Sequence, residues 1–282
     1  MEVPCGQCLG CRLDRSREWA ARIVHESTLH EANCFITLTY REPQECTLQQ
    51  IKEKWHLPDD GSLHKSHYQK FMKRLRKHFK HRTIRYYHCG EYGDELQRPH
   101  YHACLFNCEF VDQQLFKNNN GYPLFTSQLL EKLWPYGYST IGNLTFETAA
   151  YTARYCLKKI TGEQAHEHYL RWDENGEAYW LQPEYNTMSR RPGIGKDWYD
   201  KYKDDVFPSD EIPVPGHGID KKVPRYYQQL FKESDPETLD KIKLVRQKFK
   251  AAHRADYTPQ RLYERYKVKK AQLALGNRGK EI

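Results

Sequence analysis

His100 and His102 bracket one bulky residue, Tyr101, and lead into the apolar run Ala103-Cys104-Leu105-Phe106. Side chains two apart on a strand point to the same face, so the two imidazoles project side by side. Neutral imidazole is a common ligand of divalent metals, and two on one strand make half of such a site. The plainer alternative is a pair of hydrogen-bonded surface histidines. Upstream, Ile84 to Glu91 reads as a strand rich in aromatics. The polar connection Tyr92 to Pro99 carries turn residues, so the two strands form an antiparallel hairpin. Glu91 closes one arm and His100 opens the other, which lets the carboxylate reach the same metal. One Glu and two His leave positions open to a phosphate oxygen and water, the pattern of a catalytic metal rather than a structural one.

A metal that polarises a phosphate needs a nucleophile, and Tyr151 and Tyr155 offer two. Four apart, they share one face of a helix, and Lys158 and Lys159 follow within the next turn. On pattern alone these are equally two core aromatics with a solvated lysine pair. Cys5, Cys8 and Cys11 form a second cluster at x2 spacing. As a zinc site it is one ligand short, with His25, His30 or Cys34 as candidates to complete it. The simpler reading is a glycine-rich lead into a helix with incidental thiols.

The segments resemble a known family when taken together. RPHYHACLF (98–106) is similar to the His-hydrophobe-His motif of the HUH endonucleases. YTARYCLKK (151–159) is similar to their tyrosine motif in its two-tyrosine form, and FITLTY (35–40) to the first strand motif of the replication initiators. The order is also the family's. The likeness continues through PCGQCLGCR, FMKRLRKHF, HCGEYG and MSRRPGIG and covers most of the chain. It is closest to the replication initiation proteins of small icosahedral single-stranded DNA phages, the gokushovirus branch of the microviruses.

The resemblance implies a five-stranded antiparallel sheet of the ferredoxin-like or RRM-like HUH type, with the histidines on a central strand and the tyrosine helix over the same face. It implies Mg²⁺ or Mn²⁺ on Glu91, His100 and His102, and a single-stranded DNA origin or replicative-form DNA as substrate. Tyr155 fits the Tyr-x2-Lys form of single-tyrosine relatives and is expected to attack first, leaving a 5′-phosphotyrosine. Tyr151 would make the second cut, with Lys158 or Lys159 favouring the phenolate or steadying the phosphate. Host helicase and DNA polymerase are the expected partners and the host cytoplasm the expected location. A transposase of HUH type, or a non-catalytic nucleic-acid-binding module with an RRM-like sheet, are the alternatives. Relatives usually carry residues ahead of the cysteine run.

The elements that must position these groups read as α+β. In a chain of 282 residues, 38% hydrophobic and 29% charged, no stretch approaches the ~20 apolar residues of a membrane span. The N-terminus lacks a charged segment followed by an apolar run, so secretion is not expected. Nine cysteines, an odd number at irregular spacing, suit a reducing compartment. Tyr68, Phe71, Met72, Leu75 and Phe79 form a helical stripe whose other face carries Lys73, Arg76 and Lys77, candidates for phosphate contact. Arg190 and Arg191 stand in a basic, glycine-rich loop suited to a DNA backbone. Pro208, Pro213 and Pro215 mark a boundary. The expected organisation is a catalytic domain, 1–205, followed by a basic, mostly helical extension, 206–282. That extension holds 17 Lys and Arg against 10 Asp and Glu, and so carries +7 of the chain's net +8.

Overall fold

The computed structural model describes residues 5–277 apart from 7, 94–95, 120, 156–158 and 161; for Asn119, Tyr155 and 274–277 it describes the backbone alone. The strands are β1 (Asn33–Thr39), β2 (Arg85–Tyr92), β3 (Pro99–Phe106), β4 (Gln114–Asn119), β5 (Tyr122–Thr126), β6 (Ser139–Gly142), β7 (Leu170–Trp172), β8 (Ala178–Trp180), β9 (Tyr185–Met188), β10 (Ile212–Val214) and β11 (Gly218–Asp220). The helices are α1 (Leu9–Ser27), α2 (Leu48–Lys52), α3 (Lys65–His78), α4 (Gln128–Leu133), α5 (Phe146–Tyr155), α6 (Gln164–Tyr169), α7 (Lys196–Val206), α8 (Arg225–Ser234), α9 (Pro236–Ala252) and α10 (Pro259–Asn277).

The fold is α+β, and its main sheet has seven strands in the order β4-β5-β6-β1-β3-β2-β9, every pair antiparallel. This corrects the expected count of five. The run around Asn118 to Gly121 reads as a loop but is the turn of a hairpin, β4–β5, that extends the sheet beyond β6. Gly121 takes φ +88° there and donates its N–H to Asn118 Oδ1 at 3.0 Å, the local chemistry of a tight turn. Leu115 and Phe116 of β4 are exposed, so the hairpin lacks the alternation that marks a half-buried strand. Asp173-Glu174-Asn175-Gly176 reads as a hairpin turn, and it joins β7 to β8 in a separate two-stranded sheet.

Alternation along the central strands sorts their side chains onto two faces. Ile36, Leu38, Tyr40, Tyr101, Ala103 and Leu105 pack against the apolar stripe of α3 and against α4. Phe35, Tyr87, Cys104 and Phe106 pack against α1, α5 and α7 on the other face. Each large side chain fully buried in this way contributes roughly 1.5–3 kcal/mol. Val206, Phe207, Ile212, Tyr227, Phe231, Leu239 and Ile242 belong to the second core, so the chain from α7 through the first half of α9 is built into the face that carries the site.

Tyr101, the bulky residue between the histidines, has a specific task. It is fully buried, and its hydroxyl meets Tyr40 Oη at 2.8 Å, accepts the His64 N–H at 2.8 Å and donates to the His64 carbonyl at 3.1 Å. That network pins the middle of β3 from behind while its neighbours face forward. Trp134, also fully buried, donates its indole N–H to the Thr39 carbonyl at 2.8 Å and fixes the end of β1 beside His100.

Candidate active site

β3 lies between β1 and β2, with His100 opposite Glu91 and Thr39, and His102 opposite Cys89 and Thr37. The hairpin therefore does what its sequence suggests: Glu91 and His100 are direct cross-strand partners. Glu91 reaches diagonally, and its Oε1 lies 3.0 Å from His102 Nε2, with both residues buried. On its other side, His102 Nδ1 lies 3.0 Å from the Thr37 hydroxyl. A hydroxyl can donate or accept, so Thr37 holds the ring in either tautomer. His100 donates its Nδ1 proton to the Arg98 carbonyl at 2.7 Å, which leaves the lone pair of the neutral ring on Nε2. Arg98 is itself anchored, donating to the Tyr40 carbonyl at 2.8 Å and pairing with Glu42 at 3.1 Å. Gly93 packs against the His100 ring, where an added Cβ would come within 3.2 Å of Cε1.

The donor set suits a hard or borderline divalent ion. Glu91 and His102 meet at hydrogen-bond distance, but the donor atoms of Glu91, His100 and His102 do not all fall within 4.8 Å of one another, so an ion would have to draw His100 in toward the pair. The His100 ring is nearly parallel to that of His102, 6° between planes, with centres 6.5 Å apart. Backbone carbonyl and hydroxyl partners behind both imidazoles are the outer contacts that orient metal-binding histidines.

The tyrosine helix lies over this pair. α5 begins with a reciprocal cap, Thr145 N–H to Thr148 Oγ1 at 2.9 Å and Thr148 N–H to Thr145 Oγ1 at 3.3 Å. Ala149, Thr152 and Ala153 are buried, small residues that let the helix settle close on the sheet. Thr152 Oγ1 sits 3.7 Å from Cys104 Sγ, whose thiol burial pushes up to about 12. Tyr151, half-buried, stands edge-on to His102 with ring centres 5.1 Å apart and planes at 85°, and edge-on to Phe35 at 6.3 Å. The backbone of Tyr155 follows one turn on, about 6 Å along the axis. Lys158 lies outside the described residues. Lys159 is exposed, and its carbonyl accepts from Arg12 Nη2 at 3.0 Å.

The expected DNA-contacting residues do not join this centre. Lys73, Arg76 and Lys77 are exposed on α3, across the sheet from Glu91 and His102. Lys73 and Arg76, with Lys65, Tyr86 and Tyr185, line a separate cavity of about 220 Å³ there. Arg190 and Arg191 follow β9 and are exposed beside the Arg85 end of β2, roughly 20 Å along the strand from Glu91. Their loop is held from inside by groups that pattern reading missed. Glu26 of α1 forms a buried ion pair with Arg85 and accepts the Gly195 N–H at 2.7 Å. Arg85 also donates to the Pro192 carbonyl at 3.0 Å, and Arg22 to that of Ile194 at 3.0 Å. Gly195 takes φ +77° and a side chain there would strike the Tyr227 hydroxyl, so glycine is required.

The candidates to complete a cysteine site are placed elsewhere. His25 is engaged at both nitrogens, with Tyr227 Oη at 3.0 Å and the Pro213 carbonyl at 2.9 Å, and Cys34 is buried in the core. Cys5, Cys8 and Cys11 themselves cluster, with all three sulfurs within 4.8 Å of one another.

The structure thus sets paired histidines and a carboxylate on an antiparallel sheet beneath a tyrosine-bearing helix, and comparison with known proteins gives the family. Residues 33–160, from β1 through the end of the tyrosine segment, match the family of replication-associated proteins of the ORF2 type. Replication-associated protein ORF2 of Spiroplasma virus 4 is 34% identical over 255 residues, covering 87% of this chain and 73% of its own. Replication-associated protein VP4 of Bdellovibrio phage phiMH2K is 32% identical over 244 residues, covering 83% and 69%. Replication-associated protein ORF4 of Chlamydia phage 1 is 26% identical, covering 82% and 54%. No solved structure matches. The chain belongs to the phage replication-associated proteins, as a replication initiator of the microvirus type. Among the described residues no helix is long and apolar enough to cross a membrane.

Proposed function

We propose that this protein starts rolling-circle replication as an HUH-type endonuclease, cutting and rejoining single-stranded DNA at the phage origin through a tyrosine. The observation that carries the reading is the line-up of Glu91, His102 and Tyr151: carboxylate to imidazole 3.0 Å, imidazole to the edge-on phenol ring 5.1 Å centre to centre. Glu91, His100 and His102 would hold Mg²⁺ or Mn²⁺, and such an ion, when bound, draws negative charge off the scissile phosphate.

The chain's own groups do the rest. Thr37 and the Arg98 carbonyl orient the two imidazoles. A tyrosine Oη attacks phosphorus, the phosphorus–O3′ bond breaks, and the products are a 5′-phosphotyrosine and a free 3′-OH that a host polymerase extends. The phenol proton must leave, and with an ordinary pKa near 10 it does so poorly unaided. Lys158 or Lys159 favours the phenolate. The Tyr-x2-Lys spacing assigns the first cut to Tyr155, and the position of Tyr151 over His102 supports its use for the second. The 3′-OH then attacks the first linkage and closes a circle, so the bond energy is conserved without ATP. The basic C-terminal extension, 206–282, adds affinity for DNA. Membership among replication-associated proteins favours this reading over a transposase.

The test is incubation with origin-strand oligonucleotides and Mn²⁺. An SDS-resistant protein–DNA adduct is expected, absent with EDTA. Binding without any adduct across oligonucleotides tiled over the replicon would leave a non-catalytic DNA-binding module.

A further inference from the structure

Outside the candidate active site, the densest group of potential metal ligands is at the start of α1. Cys5 Sγ and Cys11 Sγ lie 4.0 Å apart, and all three sulfurs of Cys5, Cys8 and Cys11 fall within 4.8 Å of one another. A zinc–sulfur bond of about 2.3 Å puts tetrahedral thiolates about 3.8 Å apart, so the cluster needs only a small contraction to close on an ion. A disulfide, with sulfurs about 2.05 Å apart, is a poorer description of three thiols that share one point.

One backbone amide is directed at the cluster as well. The Cys8 N–H points at Cys5 Sγ at 3.2 Å. Amide hydrogens directed at sulfur stabilise its charged form and orient it. Gly6 takes φ +75°, a left-handed conformation open to glycine, between Cys5 and Cys8. Cys8 is the N-cap of α1 and Cys11 lies in its first turn, where no acidic residue competes for the positive end of the helix.

We propose that Cys5, Cys8 and Cys11 bind one zinc ion as three thiolates, releasing their protons to solvent. Among the described residues no fourth ligand joins them; a water or a further donor would complete the tetrahedron. The site sits where α1 meets the tyrosine helix: Arg12 donates to the Lys159 carbonyl at 3.0 Å and Ser16 to the Ala150 carbonyl at 3.0 Å. A metal there fixes the end of α1 that braces α5, a structural role separate from the His–Glu centre.

The experiment uses the full chain, purified under reducing conditions and titrated with Co²⁺ and then Zn²⁺. A thiolate-to-cobalt charge-transfer band in the near ultraviolet is expected, saturating at one equivalent and bleached by zinc. The double variant His100→Ala/His102→Ala should keep the band, and Cys8→Ser should weaken cobalt binding at least tenfold. A second readout does not depend on the variant's folding: zinc should protect cysteines 5, 8 and 11 of the wild-type chain from alkylation, as mapped by mass spectrometry. No charge-transfer band in the wild-type chain, or zinc protection confined to other cysteines, would overturn the proposal whatever the outcome at the His–Glu centre.

Discussion

Tyr151 stands edge-on over His102, ring centres 5.1 Å apart, while the far nitrogen of the same imidazole lies 3.0 Å from the Thr37 hydroxyl. Orientation therefore passes in a line from β1 through β3 to the tyrosine helix. His102→Ala should abolish cleavage in Mn²⁺ and leave binding to single-stranded DNA within about threefold, because phosphate contacts elsewhere supply affinity. Thr37→Val removes the hydroxyl at constant volume, and is expected to lower cleavage roughly ten- to a hundredfold, the usual cost of removing the outer partner of a metal ligand. Thr37→Ser should restore it. Equal cleavage by Thr37→Val would mean that the ring needs no such support.

The buried pair Glu26–Arg85 is expected to govern stability rather than chemistry. Glu26→Gln leaves the Arg85 guanidinium without its charge partner inside the protein, and breaking a buried pair from one side costs about 3–5 kcal/mol. A large drop in urea midpoint is expected, along with faster proteolysis at the 189–195 loop, whose amide and carbonyls this pair holds. A change below about 1 kcal/mol would show that the loop stands without the clamp.

His25 makes stability depend on pH. Burial lowers its pKa from 6.5 to about 4, outweighing the contact with the Pro213 carbonyl, which acts the other way. The folded state thus resists taking up a proton that the unfolded chain accepts below about 6.5. Stability is insensitive to this group above that pH and falls as pH drops from about 6.5 toward 4. Urea midpoints at pH 7 and pH 5 should show the fall. His25→Phe, which keeps a ring to stack on Trp198, should be less stable at pH 7 and show a shallower pH dependence. His67 and His88 shift the same way through burial, so the slope should shrink without vanishing.

The basic C-terminal region divides at the end of α9. Tyr227, Phe231, Leu239 and Ile242 belong to the core, so removing 224–282 would strip core side chains, whereas ending the chain at residue 253 spares them. Residues 254–282 hold eight Lys and Arg against three Asp and Glu. Their removal should weaken binding to single-stranded DNA and flatten the salt dependence by about 0.7 in log–log slope for each phosphate no longer neutralised. An unchanged slope in a folded truncation would assign the segment a role away from DNA.

The placement of the candidate site residues was legible in the sequence wherever it depends on local period. Two histidines at strand spacing and a Glu across a short hairpin end up as cross-strand neighbours, and the period of a helix carries Tyr151 to them. What pattern could not supply is non-local. Thr37 meets His102 because β1 pairs with β3 at one register, and Glu26 meets Arg85 across 59 positions. Helical amphipathicity showed that α3 has a basic face but not which side of the sheet it covers, so Lys73 and Arg76 fall on the face opposite the histidines. The β4–β5 hairpin was missed because its exposed apolar residues break the alternation that identifies a strand.

The central claim is that a tyrosine of α5 becomes covalently attached to DNA beneath the control of the Glu91–His100–His102 centre. Its most direct test is peptide mapping of the adduct formed by the full chain with an origin oligonucleotide in Mn²⁺. The expected result is DNA on Tyr155 in the wild-type protein, a shift of the label to Tyr151 or its loss in Tyr155→Phe, and no adduct in EDTA. A covalent adduct at neither Tyr151 nor Tyr155 would contradict the account and return both rings to a packing role.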